Sequence, residues 1–397
     1  MALKVEYLIT YKIKGNFLEN ISSFNHLLMA NSLISINEKK LVFREVGFEY
    51  DLVCHEIPDK SQRLFKVNLS TDKTENIELL TEILKIIREF IYRTDGKISI
   101  IWDDISNYYS IKAYPEINKI ENLLRKLITY FMISNFGVEW TEESIPVEIK
   151  TNIKHTRDKN NFLHDTDFIQ LADFLFKPYS NKSVEILFKD LKSLKNPETS
   201  NNLYYEQFVP KSNWERYFNN VVNCEDGYLL KNWNRLYELR CLIAHNSFIS
   251  KDDYEEVVNI VNSLSEKFEN AISAIDAIII PQEEKEAVIE SVLTAKNELV
   301  NQFFEQWRNI YEEVSKLYKK SGFNEVANDY PLKKMVEELI EKEVLNEDFL
   351  RDIEPIGNLR NKVLHLGEEI TDNEIAEATA IAKSFYVHKI LFEEPFI

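Results

Sequence analysis

Residues 5–13, VEYLITYKI, alternate apolar and polar side chains with a period of two, so that Val5, Tyr7, Ile9, Tyr11 and Ile13 fall on one side of an extended chain. This is the pattern of a strand with one buried face. Working outward, Phe17, Ile21, Phe24 and Leu28 recur every three or four residues, a helical spacing, and strand-like patterning returns from Leu33 to Ile57 and at Phe65, Val67 and Leu69, a middle region that reads as two or three strands. Ile77, Leu80, Leu84, Ile87 and Ile91 mark a second amphipathic helix, which Gly96 ends, and Ile98 to Ala113 read as one or two further strands.

The order β-α-β-β-α-β predicts a small α+β domain over residues 1–114, with two helices covering one face of an antiparallel sheet, as in ferredoxin-like folds. From Pro115 the period becomes helical, beginning with Ile117, Ile120, Leu124, Leu127 and Phe131, and it stays so to the end. Pro281 suits a first helical turn, and the run from Ile289 to Leu317 predicts one long helix ended by Gly322. The expected fold class is therefore α+β: an N-terminal α+β domain followed by mainly helical bundles at 115–280 and 281–397.

Within the helical part, one unit occurs twice. YELRCLIAHNSFISKDDYEEVVNIVNSL at 237–264 pairs with IGNLRNKVLHLGEEITDNEIAEATAIAKSF at 356–385. Each copy carries Leu-Arg-x4-His, then a short break, then a helix start at which Ser250 with Asp253, and Thr371 with Glu374, have the spacing of a capping box. The arginines are Arg240 and Arg360, and the histidines His245 and His365.

This repeated unit resembles the C-terminal half of HEPN domains, four- to five-helix bundles marked by Arg, usually a polar residue, and then His four to six residues downstream. Arg360-Asn361-x3-His365 matches that pattern in full, whereas Arg240-Cys241-x3-His245 has cysteine where the polar residue usually stands. IENLLRKLITYFMISNFGVEW at 120–140, and the run around Asn213 and Trp214, look like other parts of such domains in bacterial abortive-infection proteins. The resemblance covers about residues 115–397 and leaves the first 114 outside it. It implies a metal-independent endoribonuclease that leaves a 2′,3′-cyclic phosphate and a 5′-OH, with Arg240, His245, Arg360, Asn361 and His365 catalytic. It also implies pairing of two motifs, in a homodimer or within one chain, and a role in antiphage defence or toxin-like growth arrest. An N-terminal domain would then sense a phage-derived trigger, bind an inhibitory partner protein or restrain the nuclease.

The chemistry suits these residues. RNA supplies its own nucleophile, so the enzyme need only take a proton from the 2′-OH, steady the crowded phosphorane and return a proton to the leaving 5′-oxygen. Histidine titrates near neutrality and serves for the proton transfers; arginine stays charged and binds phosphate oxygens with a planar fork. On a helix, Asn361 and His365 lie nearly one above the other, and Arg360 flanks that face. The alternative reading is a non-catalytic binding or assembly module, in which the motifs are helix-end packing and electrostatics.

Further candidates are Lys362 as a phosphate contact, and Lys154 and Arg157 in the cationic stretch KTNIKHTRDKNN at 150–161, which otherwise reads as a solvated loop. Trp102, Tyr108, Tyr109 and Tyr114 offer faces for base stacking, although aromatic residues at strand spacing more often form core. No pair of histidines has metal-ligand spacing, the three cysteines show no Cys-x2-Cys pattern, and none of the eight glycines forms a phosphate-cradling loop, so no metal or cofactor is expected. The net charge of −18 divides as −1 in residues 1–114, −6 in 115–280 and −11 in 281–397. A polynucleotide would therefore need a local cationic cleft or a partner to deliver it. With no apolar run of membrane-spanning length and charges throughout its first residues, the chain is expected in the cytoplasm, with no membrane partner.

Overall fold

The computed structural model describes residues 2–13, 17–57, 60–138, 140–145, 149, 162–180, 208–323, 331–365 and 371–385. Contacts divide the chain into two compact units, Met1–Ile120 with Asn234–Leu264, and Glu121–Trp233 with Ser265–Ile397. The expected boundaries near 114 and 280 differ from this division, most visibly because the first Arg-x4-His motif groups with the N-terminal sheet.

The first unit is built on a six-stranded sheet: β1 (Leu3–Lys12), β2 (Ile34–Asn37), β3 (Lys40–Phe43), β4 (Val46–Ile57), β5 (Gln62–Thr71) and β6 (Lys97–Asp103), in the order β2-β3-β4-β5-β1-β6. Every pairing is antiparallel. The alternation in β1 is realised, since Leu3, Val5, Tyr7, Ile9 and Tyr11 are all buried, whereas Ile13 lies beyond the strand and is exposed. Helices α1 (Ile21–Leu28) and α2 (Ile77–Arg93) bring Phe24, Leu28, Leu80, Ile83, Leu84, Ile87 and Ile91 into the same core, where Phe24 stacks on Phe65 at 4.7 Å.

This arrangement corrects the four-strand expectation. Arg44 and Glu45, both at positive φ, make the two-residue β3–β4 turn, and a residue at positive φ, Glu38, also stands between β2 and β3. The region from Leu33 to Ile57 therefore folds as three consecutive strands. Ile98 to Ala113 is likewise not all strand. Asp103 Oδ1 accepts from the backbone N–H groups of Ile105 (2.9 Å) and Ser106 (3.1 Å), and so caps a helix, α3 (Asp104–Phe136), that runs through Pro115. Tyr114 and Ile111, beside that proline, are exposed.

Helices α4 (Asp226–Ala244) and α5 (Lys251–Ala274) follow. The portions of them that belong to the first unit bring Leu242, Ile243 and Tyr254 against the sheet's core, and Ile249, between the two helices, is buried in it.

The second unit has an aromatic core in which Trp214, Phe218, Trp233 and Phe268 are fully buried, and Phe168 stacks on Trp233 at 4.1 Å. Its C-terminal part consists, among the described residues, of α6 (Gln282–Lys296), α7 (Glu298–Lys320), α8 (Leu332–Glu341), α9 (Glu347–His365) and α10 (Asp372–Phe385). Phe303, Phe304, Ile310, Met335, Leu339, Ile356 and Ile375 fill the space between them. The single long helix expected from 289 to 317 is two. Asn297, extended at φ −137°, interrupts it and accepts from Leu299 N–H at 2.9 Å as the N-cap of α7. Gly322 follows α7 with φ +85°, a conformation that favours glycine. Among the described residues no helix is long and apolar enough to cross a membrane.

Candidate active site

The first motif stands at the end of α4. Leu236 and Leu239 are buried on its inner side, which leaves Arg240 on the solvent side. The helix closes with Asn246 in the left-handed region (φ 52°), Asn246 N–H donating to Ile243 O at 3.2 Å and Ser247 N–H to Leu242 O at 2.8 Å. This pair of bonds is the Schellman arrangement, in which an asparagine supplies the left-handed residue more often filled by glycine. His245 is the last residue before it. Both Arg240 and His245 are exposed, and among the described residues neither side chain has a hydrogen-bond or ion-pair partner.

Two sets of bonds hold this end in place. Ser106 Oγ accepts from Ile249 N–H at 2.8 Å and donates to Ser247 O at 3.2 Å, tying the loop after the motif to the start of α3. Arg235 grips Glu256 with two bonds of 2.8 Å, joining α4 to α5, and its presence holds the Glu256 carboxyl below the usual range.

The second motif stands at the end of α9. Like α4, this helix has 19 residues, and its last residue is His365, whose side chain lies outside the described residues. Asn361 is exposed. Arg360 is not free: its Nη2 donates to Glu286 Oε2 at 2.6 Å, its Nη1 lies 3.4 Å from Asn361 Oδ1, and its guanidinium sits 5.4 Å from the Trp307 ring centre. Its Nε is buried without a hydrogen-bond partner among the described residues. Lys362 pairs with Glu374 at 3.2 Å.

Both expected capping boxes are present. Ser250 N–H donates to Asp253 Oδ2 at 2.8 Å and Asp253 N–H returns to Ser250 Oγ at 3.1 Å; Thr371 N–H donates to Glu374 Oε2 at 2.8 Å and Glu374 N–H to Thr371 Oγ1 at 3.4 Å. The two copies thus share a motif at the end of a 19-residue helix and a boxed start to the next described helix.

Beside Arg360 opens a cleft of about 490 Å³. Glu283, Glu286, Glu290 and Glu312 line it against only two cations, Arg360 and Arg308, and Arg308 is paired with Glu290 at 2.6 Å. Its lining is net negative, which opposes a phosphate in the arrangement seen here. Glu286 and Trp307 come from α6 and α7 and carry no sequence signal as partners of Arg360; only the fold brings them to it.

Lys154 and Arg157 fall outside the described residues. The four aromatic residues proposed for stacking separate: Tyr109 is buried 5.9 Å from Tyr254, Tyr108 lies under the Lys112 ammonium at 4.5 Å, and Trp102 and Tyr114 are exposed. Among the described residues no three His, Cys, Asp or Glu side chains group as metal ligands. No protein-family model matches the chain, and no curated protein or solved structure matches it.

Proposed function

We propose that this protein is a HEPN-type, metal-independent endoribonuclease that acts in the cytoplasm in antiphage defence or as a growth-arresting toxin. The observation that carries the reading is the repeated helix end: Arg-x4-His at the C-terminal end of two 19-residue helices, with the two registers offset by one residue and each motif followed by a boxed helix start. In the first copy the guanidinium and imidazole stand in solvent with no competing partner among the described residues, the condition that a group meeting a phosphodiester requires. Among the described residues five helices make up the part that carries the second motif, a number compatible with the four- to five-helix bundle that the resemblance implies.

In this reading a histidine takes the 2′-OH proton as the ribose oxygen attacks phosphorus. An arginine neutralises the phosphorane oxygens, and a protonated imidazole gives its proton to the departing 5′-oxygen. The P–O5′ bond breaks as the P–O2′ bond forms, leaving a 2′,3′-cyclic phosphate and a 5′-OH. One motif offers a single imidazole, so pairing of motifs, as in the family resembled, supplies the second acid–base group.

The test is to incubate the purified protein with single-stranded RNA in EDTA and to map the product ends. Cyclic phosphate ends, and no cut where a 2′-deoxynucleotide precedes the linkage, support the mechanism. RNA that stays intact, or 3′-OH ends, removes it.

One observation favours a second reading, a non-catalytic binding or assembly module: Arg360 is already neutralised by Glu286 in an acidic cleft. That module would leave RNA intact while the motif residues affect only association.

A further inference from the structure

A second cavity, of about 210 Å³, lies in the first unit directly after the first motif. It is bounded by the end of β6, the first turns of α3 and the loop that follows His245, and Trp102, Asp103, Asn107, Ser110, Asn246 and Phe248 are among its walls. Strand β6 is an edge of the sheet, paired only with β1, and its register slips between Glu6 and Tyr7, whose partners are Trp102 and Ile100. Ile101 is thus the extra residue of a bulge. Bulges re-aim side chains, and here Ile101 and Trp102 are consecutive yet both exposed, Trp102 to 51%, and Phe248, also in the lining, is exposed to 60%.

The polar walls are open. Among the described residues the side chains of Asn107, Ser110 and Asn246 make no hydrogen bond, while Asp103 Oδ1 is committed to the α3 cap. Not one lining residue is Lys or Arg, and the single charged one is a carboxylate that burial pushes above its ordinary range. Such a lining offers phosphate no cation of its own, although the Lys4 ammonium stands 4.8 Å from the Trp102 ring centre, and it suits a flat, neutral heteroaromatic with donors and acceptors on its edge. The cavity's volume is below that of a typical site for a whole small ligand, which fits one ring system rather than a complete nucleotide.

We propose that this cavity takes one unpaired nucleobase of a single-stranded RNA, stacked on Trp102 and Phe248 and met at its edge by Asn107, Ser110 and Asn246. This rests on the ribonuclease reading, because Asn246 is the residue after His245, so a base seated here flanks the linkage presented to that imidazole. It gives the enzyme a preference for unpaired strands, since a base inside a duplex cannot leave its stack without cost.

The experiment measures binding, not cleavage, by fluorescence anisotropy of a labelled single-stranded 2′-O-methyl oligoribonucleotide, whose blocked 2′-oxygen cannot attack. Trp102→Ala and Phe248→Ala each weaken binding about tenfold, within the range of one base–aromatic stack, and an abasic strand of the same length binds wild type and variants alike. Both side chains are half or more exposed, so the variants fold, and unchanged melting temperatures verify it.

Equal affinity of wild type and variants for the base-bearing strand overturns the proposal, as does a free mononucleotide that binds as tightly as the strand. Cleavage of ordinary RNA with variant-insensitive binding sinks the cavity alone. Base-dependent binding without any cleavage sinks the nuclease reading and leaves the cavity as a strand-binding site.

Discussion

Arg360 Nη2 donates to Glu286 Oε2 at 2.6 Å, with both side chains about four-fifths buried, so the arginine of the fuller motif is held by a carboxylate where a phosphate would be expected. Glu286 lies 74 residues earlier, on α6. A phosphate reaching Arg360 must displace this carboxylate or bind beside it.

Glu286→Gln keeps a hydrogen-bond acceptor and removes the charge. RNA affinity is expected to rise about fivefold, equivalent to about 1 kcal/mol, and cleavage at subsaturating RNA to rise with it. Filter binding at two salt concentrations checks this, with the larger gain at low salt. A loss of affinity would mean that Glu286 positions Arg360 for its task instead of restraining it.

Asn246 closes α4 in the left-handed region at φ 52°. Asn246→Gly, which removes the Cβ crowding there, is expected to match or slightly exceed wild type in stability, while Asn246→Ala costs about 1 kcal/mol, or about 3 °C in melting temperature. Calorimetry on both variants separates the two effects.

The Glu374 carboxyl is held down to about 2, first by the Thr371 backbone N–H, then by the Thr371 hydroxyl and Lys362. Its unfolded value is about 4.3. The folded value is the lower one, so the stability it contributes is complete above the unfolded value and is lost as pH falls towards 2. Thermal melts of wild type and Glu374→Gln should differ by a constant amount above about pH 5, and the gap should close between about pH 4.5 and 2.

Much of this architecture is legible in the residues. The alternation of β1, the apolar stripes of α1 and α2 and the two capping boxes depend on near neighbours, and local spacing reports them. The β3–β4 turn escaped because Arg44 and Glu45 adopt positive φ where Asn-Gly would have signalled a hairpin, a choice that surrounding structure must compensate.

The start of α3 is hidden because Asp103 ends an apolar strand and caps a helix at once. The spacing Ile105, Tyr109, Ala113, Ile117 carries the helical signal, and an N-cap reading of Asp103 would have found it. At the candidate site the positions of Arg240 and His245 on a helix end follow from the sequence. The partners of Arg360 do not, because Glu286 and Trp307 reach it only through the packing of α6 and α7. For the same reason the cavity beside Asn246 has no local signature: its walls come from segments more than a hundred residues apart.

The measurement that bears most directly on the account is the initial rate of cleavage of a defined single-stranded RNA in EDTA by wild type, His245→Ala and His365→Ala. The account predicts metal-independent cleavage by wild type and a fall of about 10²-fold or more in each variant with the fold intact, the range for loss of one acid–base group. Cleavage that survives both substitutions, or wild-type and Glu286→Gln proteins that leave the RNA whole, would contradict it.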